Sequence, residues 1–459
     1  MRVLRAVACF ALFSASSLCG AENVYKPASP EPTPEETLIL ELLNRFRANP
    51  QAELEWIAPK GGKPRLAWGN VDWEMFRKEM SALKAAPPVV FNLQLLDAAR
   101  KHSHYMVLNG MSHDESPSKP GFQGASFGDR CKKAGYTGFA GAENCFRDAP
   151  GAEGSHVGFI VDSGAGPGGM QPGRGHRTNM MGGYREIGCS AVPHDGRFSV
   201  THDFGNRGAA RMAGGVAYCD KNGNSFYDLD EGLGNVRISA DDGTGTVTWM
   251  SGAYELDLKT ANRVVMKAEF GGLSFTKTFE AGKDNLKFDW VLTQEQLNEK
   301  ADQLLAQVEK VNKETQASAY ANALLSLYLG TKGLPVNAER RAKIDELTKD
   351  VRTDLEAHQK AVLDALEQYD PMKFPRILSE HRKTYGTGPL ANWFKEAELT
   401  ATQKGQVIIF EKQSEGMKPQ QSLKKAFVQQ LEAIAKQMQE PLFRAEMESL
   451  VARAKAVGA

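Results

Sequence analysis

The sequence has little cysteine, no excess of charge of either sign and almost no long apolar segment. Six of its 459 residues are cysteine, and 56 lysines and arginines balance 56 aspartates and glutamates. A formal net charge of zero gives no basis for predicting a nucleic acid or an anionic membrane as a partner. Beyond the first twenty residues, no segment reaches the roughly 18 uninterrupted apolar residues of a membrane helix. The body of the chain is therefore expected to be soluble.

The N-terminal segment has the three-part pattern of a secretory signal. Arg2 and Arg5 precede an apolar run at 6–13, and small residues follow as far as Ala21. A buried helix is the alternative interpretation. Cys19 also raises the alternative of a lipoprotein, but position 16, where such signals normally have Leu, is Ser. We predict a signal peptide over 1–21, a linker over 22–34 and a secreted protein, either extracellular or periplasmic.

Four cysteines follow this segment, namely Cys131, Cys145, Cys189 and Cys219. An even number in an oxidising compartment favours disulfides, and three pairings are formally possible. We predict a bond between Cys131 and Cys145, which closes a short loop, and one between Cys189 and Cys219, which joins adjoining strands. The alternative is four buried thiols.

Composition divides the rest of the chain into three parts, as its length also suggests. Glycine and cysteine are concentrated before residue 235, alternating β-branched and aromatic residues continue to about 290, and the remainder is rich in Ala, Leu, Lys, Glu and Gln. We predict domains at 35–210, 211–293 and 294–459.

Five ordered motifs occur in the first of these domains. They are LNRFRANP at 43–50, SH at 112–113, GAEN at 141–144, GHRTNMM at 175–181 with YREIGC at 184–189, and VTHDFG at 200–205. Together they resemble the CAP superfamily, the SCP-like domains of cysteine-rich secretory proteins, antigen 5 and plant pathogenesis-related proteins, and in particular its bacterial extracellular members. The resemblance implies an α-β-α sandwich, and therefore an α+β fold, over 35–210.

Local patterns indicate where the elements of this domain lie. Apolar residues at helical spacing predict helices over 36–48 and 93–108, the first ended by Asn49-Pro50 and the second by Asn109-Gly110. Residues 187–192 and 198–204 read as a hairpin about the turn at 194–196.

The resemblance also implies a cleft that is lined by two histidines and two acidic residues. The motifs place His113, Glu143 and His176 there, and Asp162 is the nearest candidate for the second acid, although the family usually has Glu. Two imidazoles with carboxylates could hold zinc or a similar divalent ion through His113 and His176. The alternative is a hydrogen-bonded cluster without metal, in which each carboxylate fixes the tautomer of a neighbouring histidine.

Enzymatic activity is uncertain, and the sequence favours a protein that is not an enzyme. Glu143 beside a metal-bound water has the parts of a hydrolase. However, no His-Glu-x-x-His or Gly-x-Ser-x-Gly motif is present, and CAP domains are mostly implicated in extracellular binding. We predict binding of an extracellular small ligand, lipid or partner protein. The alternatives are a secreted, peptidase-like metal-dependent hydrolase and an interaction scaffold without catalytic activity.

Several polar residues outside the motif positions are expected to have no special role. We interpret Glu186 as a surface ion-pair partner of Arg185. The other histidines of the domain are expected to be solvated or locally bonded, and they are His102, His104, His156, His194 and His202.

A second motif opens the region that follows. Over residues 220–231, oxygen-bearing side chains occupy positions 1, 3, 5, 9 and 12 of an EF-hand-like loop, and a backbone carbonyl is available at position 7. This block resembles the start of calcium-binding B-type β-sandwich repeats of bacterial adhesins. The alternative is a polar turn without an ion. The predicted ligands for structural Ca²⁺ are Asp220, Asn222, Asn224, Phe226, Asp228 and Glu231.

From residue 294 onward the pattern is helical. We predict helices near 294–315, 317–329, 337–369, 373–384, 389–397 and 420–457, separated by Gly and Pro. Trp393 and Phe394 are interpreted as core residues, and His381 is expected to be solvated. No resemblance indicates what this all-α region does.

Overall fold

The chain forms two compact units, Met1–Gly208 and Ala209–Ala459. The computed structural model describes residues 24–66, 70–208, 211–385, 390–414, 420–438 and 440–457. The predicted signal peptide at 1–21 lies outside these residues. Within them, no helix combines the length and the apolar character that crossing a bilayer requires. The regions at 211–293 and 294–459, which we predicted as separate domains, fall in the same unit.

The first unit contains a four-stranded sheet with helices on both faces. The strand order is β1-β3-β4-β2, with β1 parallel to β3 and the other neighbours antiparallel. The strands are β1 Val90–Phe91, β2 Phe139–Ala149, β3 Glu186–His194 and β4 Arg197–Asn206. The helices are α1 Pro34–Ala48, α2 Pro50–Ile57, α3 Trp73–Ser81, α4 Leu93–Asn109, α5 Phe127–Lys133, α6 Ala152–Val161 and α7 Gly175–Met180.

Two consecutive residues of β3 show that α1 and α4 cover opposite faces of the sheet. A Cβ at Gly188 would lie 2.0 Å from the backbone carbon of Leu95 on α4. The thiol of Cys189 instead donates to the carbonyl of Glu36 on α1, at 3.4 Å. Successive side chains of a strand point to opposite faces. The α-β-α sandwich expected from the sequence is therefore confirmed.

The ends of the predicted elements follow from local chemistry. Thr33 and Glu36 form a capping box at the start of α1, and the side chain of Asn49 caps α2 immediately after α1 ends. Gly110 ends α4 with a positive φ of 94°. Positive φ values at Asp195 and Gly196 form the β3–β4 turn. Both helices and the hairpin predicted for this domain are present.

Both predicted disulfides are wrong. The structure describes Cys131, Cys145, Cys189 and Cys219, and all four are free and buried. Cys189 faces α1 in the first unit, whereas Cys219 packs in an apolar core of the second. Burial raises the pKa of each thiol above its ordinary value. The four sulfurs are therefore buried in the protein interior. The closeness of Cys131 and Cys145 in the sequence does not imply that they are bonded.

The second unit begins with two sheets that share one apolar core. One has the order β10-β9-β6-β7, and in the other β5 pairs with β11, β12 and β8. Met266 of the first sheet and Tyr254 and Trp290 of the second belong to the same buried cluster. The strands are β5 Arg211–Asp220, β6 Arg237–Ala240, β7 Gly245–Val247, β8 Ala253–Leu258, β9 Val264–Phe270, β10 Leu273–Phe279, β11 Leu286–Lys287 and β12 Trp290–Thr293.

Seven helices follow in the part of the second unit that the structure describes. They are α8 Gln294–Glu309, α9 Ala317–Thr331, α10 Ala338–Glu367, α11 Phe374–Tyr385, α12 Ala391–Gln413, α13 Gln421–Gln437 and α14 Pro441–Ala456. The helical character of this region and the core positions of Trp393 and Phe394 are confirmed.

Three of the predicted helix boundaries are wrong. Helix α8 ends at Glu309 instead of 315, and α12 continues to Gln413, far beyond the predicted end at 397. The helix predicted over 420–457 is two helices. Pro441 begins the second of them, because proline is favoured in a first turn, where its missing N–H removes no hydrogen bond.

Candidate functional site

His113 and Glu143 form the first of two histidine–acid pairs in the CAP-like unit. His113 lies on the loop after α4, and Glu143 lies on β2. The Nδ1 atom of His113 is 2.9 Å from Oε1 of Glu143. The side chain of His113 is 53% exposed, whereas that of Glu143 is 3% exposed. The carboxylate is thus buried beneath a histidine that can meet a ligand.

Asp162 and His176 form the second pair. Asp162 ends α6 in a left-handed conformation, with φ 56°, and His176 lies at the start of α7. Nδ1 of His176 is 2.8 Å from Oδ1 of Asp162, and its backbone N–H donates to Oδ2 at 3.1 Å. The shorter side chain of Asp therefore reaches the histidine, because the helix ends at Asp162 and the chain turns back toward α7.

Two asparagines link these pairs through the backbone. Asn144 donates to the carbonyl of His176 at 3.2 Å, and Asn179 donates to the side chain of Asn144 at 2.9 Å and to the carbonyl of Glu143 at 3.4 Å. The four residues proposed for the cleft thus form two histidine–acid pairs. That all four line one cleft stays a prediction.

Glu143 also belongs to a buried cluster with Arg130. The guanidinium of Arg130, on α5, donates to Oε2 of Glu143 at 2.5 Å and to the carbonyl of His113 at 3.0 Å. Its Nε is 3.6 Å from Glu115, whose carboxylate is 2.9 Å from Nδ1 of His102. Sequence reasoning missed Arg130 and Glu115. Glu115 lies only two residues after His113, and this proximity was the one available signal.

The electrostatics of the cluster oppose a role for Glu143 as a base. Burial alone raises the pKa of Glu143, but the hydrogen bond to His113 and the charges of His102 and Arg130 outweigh this effect and lower it. Burial and the nearby charge of Glu143 raise the pKa of Asp203, its neighbour on β4, well above the ordinary value. These effects favour the ionised form of Glu143 and the protonated form of Asp203.

The pKa of His113 is raised, chiefly by its hydrogen bond to Glu143. Burial and the charge of Arg130 act in the opposite direction but are smaller in sum. His113 consequently keeps its proton to a higher pH than an isolated histidine. With Nδ1 directed at Glu143, its Nε2 is the nitrogen left to face a ligand.

Several residues that we expected on the surface or locally bonded are buried in the core. Glu186 is fully buried and accepts hydrogen bonds from Asn92, Tyr136 and Arg207, so its interpretation as a surface partner of Arg185 is wrong. The prediction of solvated or locally bonded side chains is also wrong for three histidines. They are His102 beside Glu115, His156 at 2.9 Å from Glu53, and His202, whose ring is 4.6 Å from that of Phe159.

His113 and His176 offer imidazole nitrogens, which transition metals accept as ligands, but neither belongs to a group of three close donor atoms among the described residues. Glu143 is hydrogen-bonded to Nδ1 of His113, and a carboxylate in that position orients a metal-binding imidazole. Oδ1 of Asp162 is 2.8 Å from Nδ1 of His176, but the two atoms lack the alignment of a hydrogen bond. Among the described residues, the one group of three or more donors with mutually close atoms is His102, Glu143 and Cys145. A metal there would have to displace Arg130 from Glu143, and both ring nitrogens of His102 already face oxygen atoms.

A cavity of about 630 Å³ lies elsewhere in the same unit. It is lined by residues of α5, by the loop that follows and by the start of β2, including Cys131, Tyr136 and the exposed Phe139. Neither histidine–acid pair contributes to its lining. Its size alone therefore does not make it the functional site.

The side chains of the predicted calcium loop form hydrogen bonds within the loop itself. Backbone N–H groups of Gly223, Asn224 and Ser225 donate to Asp220, and the side-chain amides of Asn222 and Asn224 donate to Asp228 at 2.6 and 2.7 Å. The buried Glu231 accepts from the backbone of Lys221 and of Asp228.

The sharp bend of this loop falls at position 6, where Ser225 has φ 56°. EF-hand loops have glycine at this position for the same turn. The donor set therefore fits Ca²⁺, provided that the two asparagine side chains rotate to present their oxygens instead of their NH₂ groups.

The α-β-α sandwich and its two histidine–acid pairs define the class of the first unit. Residues 40–204 match the model of the cysteine-rich secretory protein family, CAP. The chain therefore carries a CAP domain, and proteins of this family are typically extracellular. Searches of curated proteins and of solved structures gave no significant match.

We expect Arg130→Met to destabilise the CAP domain by about 3–5 kcal/mol, because it leaves the buried Glu143 charge without its main partner. The matched change Lys101→Met breaks the half-buried pair with Asp97, which water still reaches, and should alter stability by about 0.5 kcal/mol or less. Denaturant unfolding followed by circular dichroism measures both. Equal, small effects of the two substitutions would show that the Arg130 pair does not stabilise the domain.

Proposed function

We propose that the CAP domain is an extracellular binding module that takes a small ligand, a lipid or a partner protein at His113 and His176. One observation carries this proposal: the buried carboxylate nearest to His113 is held by Arg130 and kept ionised. A general base must accept a proton near the working pH. Glu143 is poorly suited to that role, and it instead orients His113.

The raised pKa of His113 suggests the chemistry of the ligand. Its exposed imidazole retains a proton more readily than usual, so it favours an anionic group or a strong hydrogen-bond acceptor. Among lipids and small ligands, a carboxylate or sulfate head group meets this requirement better than a neutral hydroxyl. We infer that an acidic amphiphile is a better ligand than a neutral one.

The alternative function, a secreted metal-dependent hydrolase, keeps one supporting observation. Glu143 orients His113 as outer carboxylates orient metal-binding histidines, and zinc held there by His113 and His176 would supply a Lewis acid. In this arrangement Glu143 would still contact Arg130, and no step of hydrolysis is assigned to it. A third possibility, a scaffold, requires neither ligand nor metal at these histidines.

We expect palmitate or cholesterol sulfate to bind the full chain more tightly than cholesterol. His113→Ala should weaken binding by about tenfold, as the loss of one charge-assisted hydrogen bond predicts. The control, His104→Ala, changes a histidine on α4 whose ring contacts Tyr25 and should leave binding unchanged. Fluorescence titration measures these affinities.

The same proteins should be assayed with a peptide library in the presence of zinc. Zinc-dependent cleavage that is lost in His113→Ala but kept in His104→Ala would favour the hydrolase and contradict the binding proposal. An absence of both lipid binding and cleavage would favour the scaffold.

We further propose that the loop at 220–231 binds Ca²⁺ and that the ion stabilises the sheets that follow it. Asp220, Asp228 and Glu231 bring three carboxylates into one turn, and their mutual repulsion opposes the compact loop until a cation neutralises it. Cys219 donates its backbone N–H to the carbonyl of Glu231, which links the loop directly to β5. Binding at the loop is thereby coupled to the folding of the sheet.

Thermal unfolding of the full chain should show a transition that rises with Ca²⁺. At 100 times the dissociation constant, the ion contributes about 2.7 kcal/mol. Asp220→Ala and Glu231→Ala should abolish the shift. The control Asp230→Asn removes a charge at position 11 but keeps a residue that tolerates the local φ of 67°, so it should retain the shift. An unchanged transition of the wild type after chelation would show that the loop is a polar turn only.

A further inference from the structure

A pair of histidines joins two neighbouring helices in the region whose role the sequence did not indicate. His358 lies on α10 and His381 on α11, and the six residues at 368–373 connect these helices. The short connection makes them antiparallel neighbours. We expected His381 to be solvated; instead it is half-buried and contacts His358. The pair therefore lies at the edge of the interface between the two helices.

The two imidazoles face one another through the same type of nitrogen. Nδ1 of His358 is 2.8 Å from Nδ1 of His381, and the ring planes cross at 86° with centroids 4.8 Å apart. Two nitrogens at this distance require one proton between them, so at least one ring presents its lone pair to the other. When both rings are neutral, a cation can take the place of that proton.

Asp354 adds negative charge beside the pair. It lies one turn before His358 on α10, with Oδ1 3.8 Å from Nε2 of His358, which is too long for a hydrogen bond. Its charge increases the attraction of this position for a cation.

The type of donor atom selects among ions. The observed 2.8 Å is the length of a hydrogen bond between the rings, so a bound ion would reset the spacing of the two nitrogens to its own geometry. Copper(II) and nickel(II) accept imidazole ligands, whereas Ca²⁺ and Mg²⁺ prefer oxygen. Copper(II) binds such sites most tightly among the divalent first-row ions, and nickel(II) is next to it in that order.

Access and packing are also suitable. The side chain of His358 is 24% exposed, so an ion can reach the pair and keep water on its remaining positions. Leu355 and Val362, one turn before and after His358, are buried in the core of the helical region, together with Leu378 of α11. The helix backbones are thus held in place, and only small rotations of the rings are needed.

We propose that His358 and His381 form a divalent transition-metal site, with copper(II) or nickel(II) as the best-fitting ions, that clips α10 to α11. The site is independent of the CAP domain, because all of its residues belong to the second unit. It also differs from the calcium loop in using nitrogen donors. A bound ion would make the hairpin of α10 and α11 more stable than hydrogen bonding between the rings alone.

Titration of the purified full chain with copper(II), followed by calorimetry and electron paramagnetic resonance, tests the site. We expect His358→Gln and His381→Gln each to lose the same single equivalent of copper and the same imidazole-nitrogen signal. Copper should also raise the melting temperature of the wild type by about 2–4 °C, and this shift should be absent in both variants. The control His104→Gln should keep both the equivalent and the shift.

Circular dichroism of the metal-free variants establishes that their helices are intact. The proposal is overturned if both variants keep the copper stoichiometry of the wild type, or if only one of them loses it, since a pair must fail together. It is also overturned if the variants melt lower in metal-free buffer while copper stabilises none of the proteins. That result would make the contact a simple hydrogen bond between helices.

Discussion

The ion pair between Arg130 and Glu143 is the interaction on which the CAP site depends. Arg130 binds the carboxylate and also the carbonyls of His113 and Gly124, so one side chain ties α5 to two points of the loop that precedes it and to β2. Once Glu143 is fixed in this way, its other oxygen is directed at His113. The position of the exposed histidine therefore follows from the carboxylate that this guanidinium holds in place, and the hydrogen bond to that carboxylate raises the pKa of His113. His176 is held by a separate acid, Asp162, whose position depends on where α6 ends.

The cluster also shows why so much charge can be buried in so small a domain. Arg130 and Glu143 are almost fully inaccessible, and isolated charges in such a place would be unstable. Their opposite signs compensate, and burial together with the charge of Glu143 raises the pKa of Asp203, which favours its uncharged form. Buried ion pairs of this kind add little net stability compared with apolar packing, yet breaking one is costly. We interpret this cluster as a device that fixes geometry, which suits a binding site better than a proton-transfer site.

The sequence predicted those parts of the molecule that depend on local signals. Capping residues, helical periodicity and the 194–196 turn placed elements of the CAP domain. Its motifs identified His113, Glu143 and His176, whereas Asp162 was only the nearest candidate for the second acid. Contacts between segments that are far apart in the sequence could not be predicted from local signals. Glu186 looked like a partner of its neighbour Arg185, but its partners Arg207 and Tyr136 are 21 and 50 residues away. Helix α12 continues through Thr400 and Gly405, weak helix formers, because tertiary packing overrides their propensity, and Thr400 is fully buried.

The cysteines illustrate the same limit, since proximity in the sequence says nothing about which way two sulfurs point.

For the site, the decisive quantity is the protonation state of Glu143, which separates an orienting anion from a catalytic base. Carbon-13 NMR of the labelled glutamate carboxyls in the wild-type chain, titrated downward from neutral pH, measures it directly. We predict that Glu143 remains ionised when ordinary glutamates titrate near pH 4.5, so that its pKa lies well below that value. A pKa at or above 4.5, and above all one near neutrality, would contradict this account and restore Glu143 as a candidate base.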